Sequence, residues 1–168
     1  MSSISFKSAT LENYIQYLPG WLENDLVGNY LFRSQLPPSE KFINDLYVSD
    51  TASNDVSYII LFNDKPIGLC GLHNVSFIHR TAEIRILIGL PELYGKGIGK
   101  KSLLKRLELA FNRFNLDLIW LGVNHSNESA IKLYSSVGFV KEGILRSRFR
   151  RGDFVDDLEL LRRKQSKF

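Results

Sequence analysis

Apolar residues recur at two spacings along the chain, at every second residue in some stretches and at every third or fourth in others. The first spacing predicts strands and the second predicts helices that pack on one face. A helix over 11–18 should end at Pro19-Gly20, the segment 21–32 is ambiguous between helix and loop, and Pro37-Pro38-Ser39 should open another helix. The remaining predicted helices cover 101–114 and 127–137, and the predicted strands cover 4–9, 56–62, 66–75, 81–89, 116–123, a short run from Phe139, and 154–161.

The order of these elements indicates an α/β fold. Antiparallel strands come first, two of them joined by the hairpin signal Asn63-Asp64-Lys65, and a strand–loop–helix–strand–helix unit follows. We expect a mixed, mostly antiparallel central sheet of about six to seven strands with helices on both faces. A chain of 168 residues without repeats or a linker fits a single domain, residues 1–168.

Charge is unevenly distributed along the chain. Residues 1–64 hold eight acidic and three basic side chains, whereas residues 65–140 hold five acidic and ten basic ones. An acidic first third beside a basic middle is compatible with a cationic substrate that meets an anionic cofactor. Arginines cluster between residues 146 and 151, but no nucleic-acid-binding motif accompanies them, so we do not expect a nucleic-acid partner.

Several other function classes find little support. Cys70 is the only cysteine, so no intrachain disulfide can form, which fits a reducing, cytoplasmic setting. His73, His79 and His125 are scattered and no Cys/His set has metal-ligand spacing, so we expect no metal. No apolar run approaches the roughly 20 residues that span a bilayer, so we expect no membrane partner. A homo-oligomer stays open.

Three alternating glycines lie between a predicted strand and a predicted helix, in Tyr94-Gly95-Lys96-Gly97-Ile98-Gly99-Lys100. Glycines let backbone N–H groups approach an anion closely, and a helix N-terminus adds about half a positive elementary charge. The combination predicts a pyrophosphate cradle. Its G-x-G-x-G spacing differs from the dinucleotide G-x-G-x-x-G, and Gly99-Lys100-Lys101 does not supply the G-K-[ST] of a Walker A loop.

A second motif follows one helix and one strand later. Asn127, Ala130, Leu133, Tyr134, Gly138 and Phe139 form the pattern N-x-x-A-x-x-L-Y-x-x-x-G-F. Together the two motifs resemble those of the GCN5-related N-acetyltransferase (GNAT) superfamily, closest to its spermidine and ribosomal-protein acetyltransferase branch. The glycine loop is similar to the family's Q/R-x-x-G-x-G/A, with Tyr94 in place of Gln or Arg. The resemblance covers residues 55–165.

This resemblance implies an acetyl-CoA-dependent N-acetyltransferase that moves the acetyl group directly to a primary amine of a polyamine, an amino sugar or a protein N-terminus. It implies that acetyl-CoA, as co-substrate, lies between two splayed parallel strands, 81–89 and 116–123. Cofactor contacts are expected from Leu87, Ile88, Gly89, Tyr94, Gly95, Lys96, Gly97, Ile98, Gly99, Lys100, Asn127, Ala130 and Lys132.

Two catalytic residues are implied in the same way. Tyr134 matches the family tyrosine expected to protonate the departing thiolate, and its alternative is an aromatic that only packs in the core. Glu83 is a candidate base or water-positioning group, and its alternative is an ion pair with Arg85 on the same face of the strand. Asn127 can cap the second helix. A relative that binds acetyl-CoA without turnover also stays open.

Overall fold

A computed structural model describes residues 3–30 and 38–165 of the chain. Its elements are β1 (Ile4–Ser8), α1 (Leu11–Leu22), α2 (Asp25–Gly28), α3 (Glu40–Asp50), β2 (Val56–Phe62), β3 (Lys65–Ser76), β4 (Thr81–Ile88), a 3₁₀ turn (Pro91–Leu93), α4 (Ile98–Asn112), β5 (Leu118–Asn124), α5 (Glu128–Ser136), β6 (Val140–Arg151) and β7 (Phe154–Lys164).

The seven strands form one sheet in the order β1-β2-β3-β4-β5-β7-β6. The β4–β5 pair is parallel and every other neighbouring pair is antiparallel. The predicted mixed, mostly antiparallel sheet is therefore confirmed, and its single parallel pair lies at the centre.

Helices cover both faces of this sheet, as the sequence predicted. On one face, α4 and α5 pack over strand residues such as Ile84 and Leu121; we call this the α4–α5 face. On the other, α1 and α3 pack over residues such as Ile59 and Leu69; we call this the α1–α3 face. Because successive side chains of a strand point to opposite faces, each strand contributes to both layers.

The first helix does not end at Pro19-Gly20, so that prediction was wrong. Helix α1 continues through Pro19 to Leu22. An interior proline costs a helix about 3 kcal/mol, but the extra turn buries Trp21 and Leu22 in the α1–α3 core. Burial of two large apolar side chains stabilises the fold by about the same free energy, so tertiary packing overrides the local signal.

Several other element boundaries differ from the predicted ones. Helix α4 begins at Ile98, three residues before its predicted start, because Gly97 adopts the left-handed conformation (φ +74°) as its N-cap. Helix α3 begins after Ser39, whose hydroxyl accepts a hydrogen bond from the Phe42 amide at 3.1 Å. The strand from Phe139 was expected to be short, yet β6 has 12 residues, with two register irregularities against β7. Residues 31–37, which include Pro37 and the end of the ambiguous segment, lie outside the described residues.

Two findings bear on the kinds of site this fold offers. No helix among the described residues is long and apolar enough to cross a membrane. Within residues 3–30 and 38–165, no group of three or more His, Cys, Asp or Glu side chains is placed to hold a metal ion.

Candidate active site

The two parallel strands separate along their length. Strands β4 and β5 pair over only three residues, ending at Glu83–Trp120. Beyond that point β4 runs on to Ile88 without a partner on this side among the described residues, while β5 runs on to Asn124 paired with β7. The result is a wedge-shaped gap in the sheet, which confirms the predicted splay and leaves the edge of β4 beyond Glu83 without strand pairing on this side.

The glycine loop lies just past the open end of β4. The backbone amides from Gly95 to Lys100 donate to no described residue, and α4 begins without a side-chain cap or an acidic residue in its first turn. Six adjacent free amides at a helix N-terminus form a strong anion site. The side chains of Lys96, Lys100 and Lys101 are exposed and make no ion pair with a described residue. This loop therefore fits a pyrophosphate.

Backbone conformation is what demands glycine at two loop positions. Gly95 and Gly97 have φ of +71° and +74°, in the left-handed region that costs other residues about 1–2 kcal/mol. A Cβ at either would meet no atom within 4 Å, so protein crowding is not the reason. Gly99 differs, because a Cβ there would lie in ordinary contact with Leu133 at 3.6 Å and Ile88 at 3.8 Å. Helix α4, helix α5 and β4 thus converge at Gly99.

Tyr94 ties the loop to the edge of the gap. Its hydroxyl donates to the backbone oxygen of Ile88 at 2.9 Å, and partial burial raises the pKa of this phenol. Gly89, next along the strand, is needed for a reason the sequence did not reveal: a Cβ there would lie 2.1 Å from the ring of Trp21. The side chain of Leu87 packs in the α1–α3 core, so this residue can offer only its backbone to the gap.

Helix α5 borders the gap on the other side. The Asn127 side chain accepts hydrogen bonds from the Ala130 amide at 3.2 Å and the Ser129 hydroxyl at 3.1 Å, so it caps this helix. Lys132 is exposed, with its ammonium 3.7 Å from the Glu128 carboxylate. A surface pair of this kind contributes little to stability and leaves the lysine able to reach a ligand.

Tyr134 projects from the same helix. Its ring packs edge-on against Phe139, with ring centroids 5.9 Å apart, and its hydroxyl makes no hydrogen bond to a described residue. Burial raises the pKa of Tyr134 to about 12. The phenol is therefore protonated throughout the neutral range and has an O–H to donate. The ring of Tyr134 packs in the core and its O–H is not used in a hydrogen bond, so a packing role and a role as the acid do not exclude each other.

Glu83 lies on the opposite face of the sheet and is firmly held. Arg85 reaches both of its carboxylate oxygens, with Nε–Oε1 at 2.9 Å and an Nη–Oε2 contact at 3.0 Å. The amide of Asn74 donates to Oε2 at 2.8 Å. The side chain of Glu83 is 12% exposed. The ion pair that the sequence offered as an alternative is formed.

A buried carboxylate that sequence reasoning missed lies beside this pair. Asp50, at the end of α3, accepts a hydrogen bond from the Tyr14 hydroxyl at 2.9 Å and lies 3.4 Å from the Arg85 guanidinium. Tyr14 also contacts the Ser57 hydroxyl at 2.7 Å. Burial raises the pKa of Asp50, although Tyr14 and Arg85 act in the other direction.

His73 is buried against the same cluster. Burial, reinforced by the charge of Arg85, lowers the pKa of His73 to about 4. Its Nδ1 lies 3.8 Å from Asp50 and 3.6 Å from Asp55 and has no hydrogen-bond partner among the described residues. Because the imidazole is neutral near pH 7, these approaches are not ion pairs there.

We call Asp50, Asp55, His73, Glu83 and Arg85 the acceptor cluster. Two of its members, Asp55 and Arg85, line a polar cavity of about 380 Å³ on the α1–α3 face. Three carboxylates face one guanidinium, since the imidazole is neutral. When all three are ionised, two negative charges are in excess. Such a cavity favours a cation.

Asn124 is a second residue that the sequence did not single out for chemistry. It is the last residue of β5, where the gap is widest, and it is 2% exposed. Its Nδ2 has no hydrogen-bond partner among the described residues. By strand alternation its side chain shares the face of Trp120, and hence of Glu83.

A phosphate cradle, a gap between diverging strands and a protonated phenol at its side define a transferase of the acyl-coenzyme A class. The comparison with known proteins agrees: residues 15–139 match the Acetyltransferase (GNAT) family, and the chain belongs to that family. It is an acetyl-CoA-dependent N-acetyltransferase that acts on amines.

Similar proteins include spermidine acetyltransferases. The spermidine N(1)-acetyltransferase of Escherichia coli (strain K12) is 32% identical over 154 residues, covering 88% of this chain and 80% of that protein. The enzyme of that name from Vibrio cholerae is 37% identical over 102 residues, covering 61% of this chain and 58% of that protein. A crystal structure of the V. cholerae spermidine N-acetyltransferase with CoA and spermine has a TM-score of 0.82 at 27% identity, covering 96% of this chain and 95% of that one.

Proposed function

We propose that the acceptor of this enzyme is a polyamine or a similar small polycation. The observation that carries the proposal is the excess of carboxylates in the acceptor cluster, two of whose members, Asp55 and Arg85, line a cavity on the face opposite the α4 and α5 helices. Relatives named as spermidine N(1)-acetyltransferases support it. An amino sugar or a protein N-terminus carries at most one cation at its reacting end and would leave this excess unpaired.

The proposed chemistry divides between the two faces of the sheet. Acetyl-CoA supplies the acetyl thioester, and the acceptor supplies a neutral amine once its ammonium has lost a proton. The amine nitrogen bonds to the carbonyl carbon while the carbon–sulfur bond breaks. Burial keeps the Tyr134 phenol protonated at neutral pH. It gives its proton to the departing thiolate, and the proton that the nitrogen loses as the amide forms restores the phenol.

For the ammonium proton, we propose that Glu83 positions a water that takes it. Three donors already occupy its carboxylate, which has about four acceptor positions in all. One position remains for a water, and Arg85 holds the carboxylate in place. If Glu83→Gln leaves the acid limb of the pH–rate profile unmoved while lowering turnover, the water route is supported; a displaced limb would make Glu83 the direct base.

Cofactor binding is proposed to use the gap and its rim. The free amides from Gly95 to Lys100 would hold the pyrophosphate, with Lys96 and Lys100 adding charge. Backbone of Leu87, Ile88 and Gly89 would meet the pantetheine arm along the unpaired edge of β4. Further cofactor contacts are proposed from residues of α5 and of the glycine loop: Asn127, Ala130, Lys132, Ile98 and Tyr94.

An amine panel tests the acceptor directly. We expect acetylation of spermidine and spermine with kcat/KM at least tenfold above that for glucosamine or a peptide N-terminus. Asp55→Asn should raise KM for spermidine severalfold and leave KM for acetyl-CoA unchanged. Asp45→Asn, which removes an exposed carboxylate paired with Lys41 on the outer side of α3, is the matched control and should behave as wild type.

Two outcomes would count against this proposal. A preference for the amino sugar or the peptide would move the acceptor to one of the alternatives. Binding of acetyl-CoA without turnover on any amine would support a regulatory relative instead of an enzyme with this acceptor.

We further propose that residues 1–168 act as one N-acetyltransferase domain in the cytoplasm. The continuous seven-stranded sheet supports the first part, because β1 and β7 lie in the same sheet. The single, buried Cys70 fits a reducing compartment. Cell fractionation tests the location, and limited proteolysis tests for a single protected unit.

A further inference from the structure

A buried arginine lies outside both parts of the active site. Arg106, in the second half of α4, is 1% exposed. Its Nε and one Nη have no hydrogen-bond partner, and no described carboxylate lies within ion-pair distance of it. Arg106 follows the start of α4 by eight residues, which places it about 12 Å along the helix axis from the pyrophosphate cradle.

Aromatic rings surround this guanidinium. Its carbon lies 4.4 Å from the centroid of the Tyr58 ring and 5.8 Å from that of Phe114. Phe6 packs edge-on against Tyr58, with centroids 6.5 Å apart. The rings stabilise the cation from its faces, but they accept none of its N–H groups, whose hydrogen bonds lie in the guanidinium plane.

The guanidinium borders a cavity of about 390 Å³ between the edge of the sheet and α4. The cavity is lined by Phe6, Tyr58 and Phe114, by Lys105 and by Arg113, and no carboxylate lines it. The Lys105 ammonium donates to the backbone oxygen of Ile4 at 2.6 Å, and Arg113 is exposed at the helix end. The volume falls within the range of small-molecule sites, about 300–1,000 Å³.

An unpaired buried cation is costly, because desolvation is not offset by an opposite charge. The established reaction makes no use of Arg106, and the cradle for the cofactor lies at the other end of α4. An oxyanion in the cavity would supply both the missing charge and in-plane acceptors, since carboxylates and phosphates match the guanidinium fork. The three rings would cover an apolar body attached to that anion.

We propose that this cavity, the Arg106 cavity, binds a small organic anion: a carboxylate or phosphate group carried on a flat apolar body. Arg106 holds the oxyanion, Arg113 adds charge at the mouth, and Phe6, Tyr58 and Phe114 contact the ring. The site is separate from the cofactor and acceptor sites, so its occupation does not require catalysis.

The test uses full-length protein with saturating CoA, so that the pyrophosphate cradle is already filled. Phenyl phosphate and benzoate are the charged probes, and benzyl alcohol is the uncharged control. At about ten times its dissociation constant, either charged probe should raise Tm by roughly 3 °C. Backbone amide NMR shifts should concentrate in β1 and the second half of α4 and should spare Gly95–Lys100. The probe that binds more tightly distinguishes a carboxylate from a phosphate ligand.

Variants make the result specific. Arg106→Met removes the charge at similar volume and should abolish the Tm response, whereas Lys41→Met, a charge removed from the opposite face, should retain it. Should Arg106→Met fail to fold, Arg113→Ala at the exposed mouth should weaken the charged probes at least threefold. The proposal is overturned if neither probe shifts wild-type Tm or NMR signals, if benzyl alcohol acts equally, or if the arginine variants respond as wild type does.

Discussion

The two sides of this active site are built in different ways. The cofactor side comes from one continuous stretch, β4 through α5, and its key features are backbone features: two left-handed glycines, six free amides and a helix cap. The side that we propose for the acceptor gathers side chains from α1, α3, β2, β3 and β4. Tyr14 meets Asp50 across 36 residues and Ser57 across 43.

The difference lies in what each ligand requires. A pyrophosphate is common to every reaction of the family, and backbone amides bind it without any particular side chain, so glycine positions are sufficient. An acceptor is recognised by charge and shape, which depend on side chains brought together by tertiary packing. A site made of backbone amides therefore leaves a glycine motif in the sequence. A site made of side chains from distant elements leaves only an excess of acidic residues in the first third of the chain.

The largest expected effect is from replacing Tyr134, which should lower turnover much more than it weakens cofactor binding. Tyr134→Phe removes only the phenolic oxygen, and Phe fits the contact with Phe139. We expect kcat to fall by about 100-fold or more, since a positioned acid contributes roughly 10²–10⁴. The Kd for CoA, measured by calorimetry, should change less than twofold. Unchanged turnover would reduce Tyr134 to a packing residue.

The burial of His73 in the proposed acceptor site should make the free energy of unfolding depend on pH. The unfolded chain protonates His73 near pH 6.5 and the folded protein only near pH 4, so the unfolded state binds more protons between these values. Stability contributed at neutral pH is therefore lost as pH falls from about 6.5 to 4, by about 3 kcal/mol at most.

His73→Gln should remove this loss in urea unfolding series at pH 7 and pH 4. Asp50, whose raised pKa acts in the opposite direction, is present in both proteins, so their difference isolates the histidine. Equal pH slopes for the two proteins would mean that His73 is not a buried neutral imidazole.

Gly97 and Gly99 test, with a smaller expected effect, whether backbone conformation or space for the ligand requires glycine in this loop. Gly97→Ala places a Cβ on a residue with φ of +74° and should weaken CoA binding about tenfold, the equivalent of roughly 1–2 kcal/mol of strain. Gly99→Ala makes only ordinary contacts and should bind CoA within about twofold of wild type, by calorimetry. Equal losses at both positions would show that space for the ligand, not φ, requires glycine.

The same contrast explains how much the sequence could predict. The sheet, the cradle and the Asn127 cap follow from local signals: spacing, glycines and a capping residue. The splayed parallel pair was implied by the family resemblance. The acceptor cluster could not be predicted, because no spacing relates Asp50 to His73 or Glu83. One local signal was overridden by packing, because Pro19 stays inside α1 and the turn after it buries Trp21. The need for Gly89 left no local signal, because it comes from the same indole lying against that residue.

A crystal structure of the enzyme with CoA and spermidine tests the division of the site most directly. We expect the diphosphate on the amides from Gly95 to Lys100, the pantetheine arm in the gap between β4 and β5, and an amine nitrogen of spermidine within hydrogen-bond distance of Asp50, Asp55 or Glu83. Diphosphate density away from the amides of Gly95 to Lys100, or spermidine bound away from the α1–α3 face, would contradict the account.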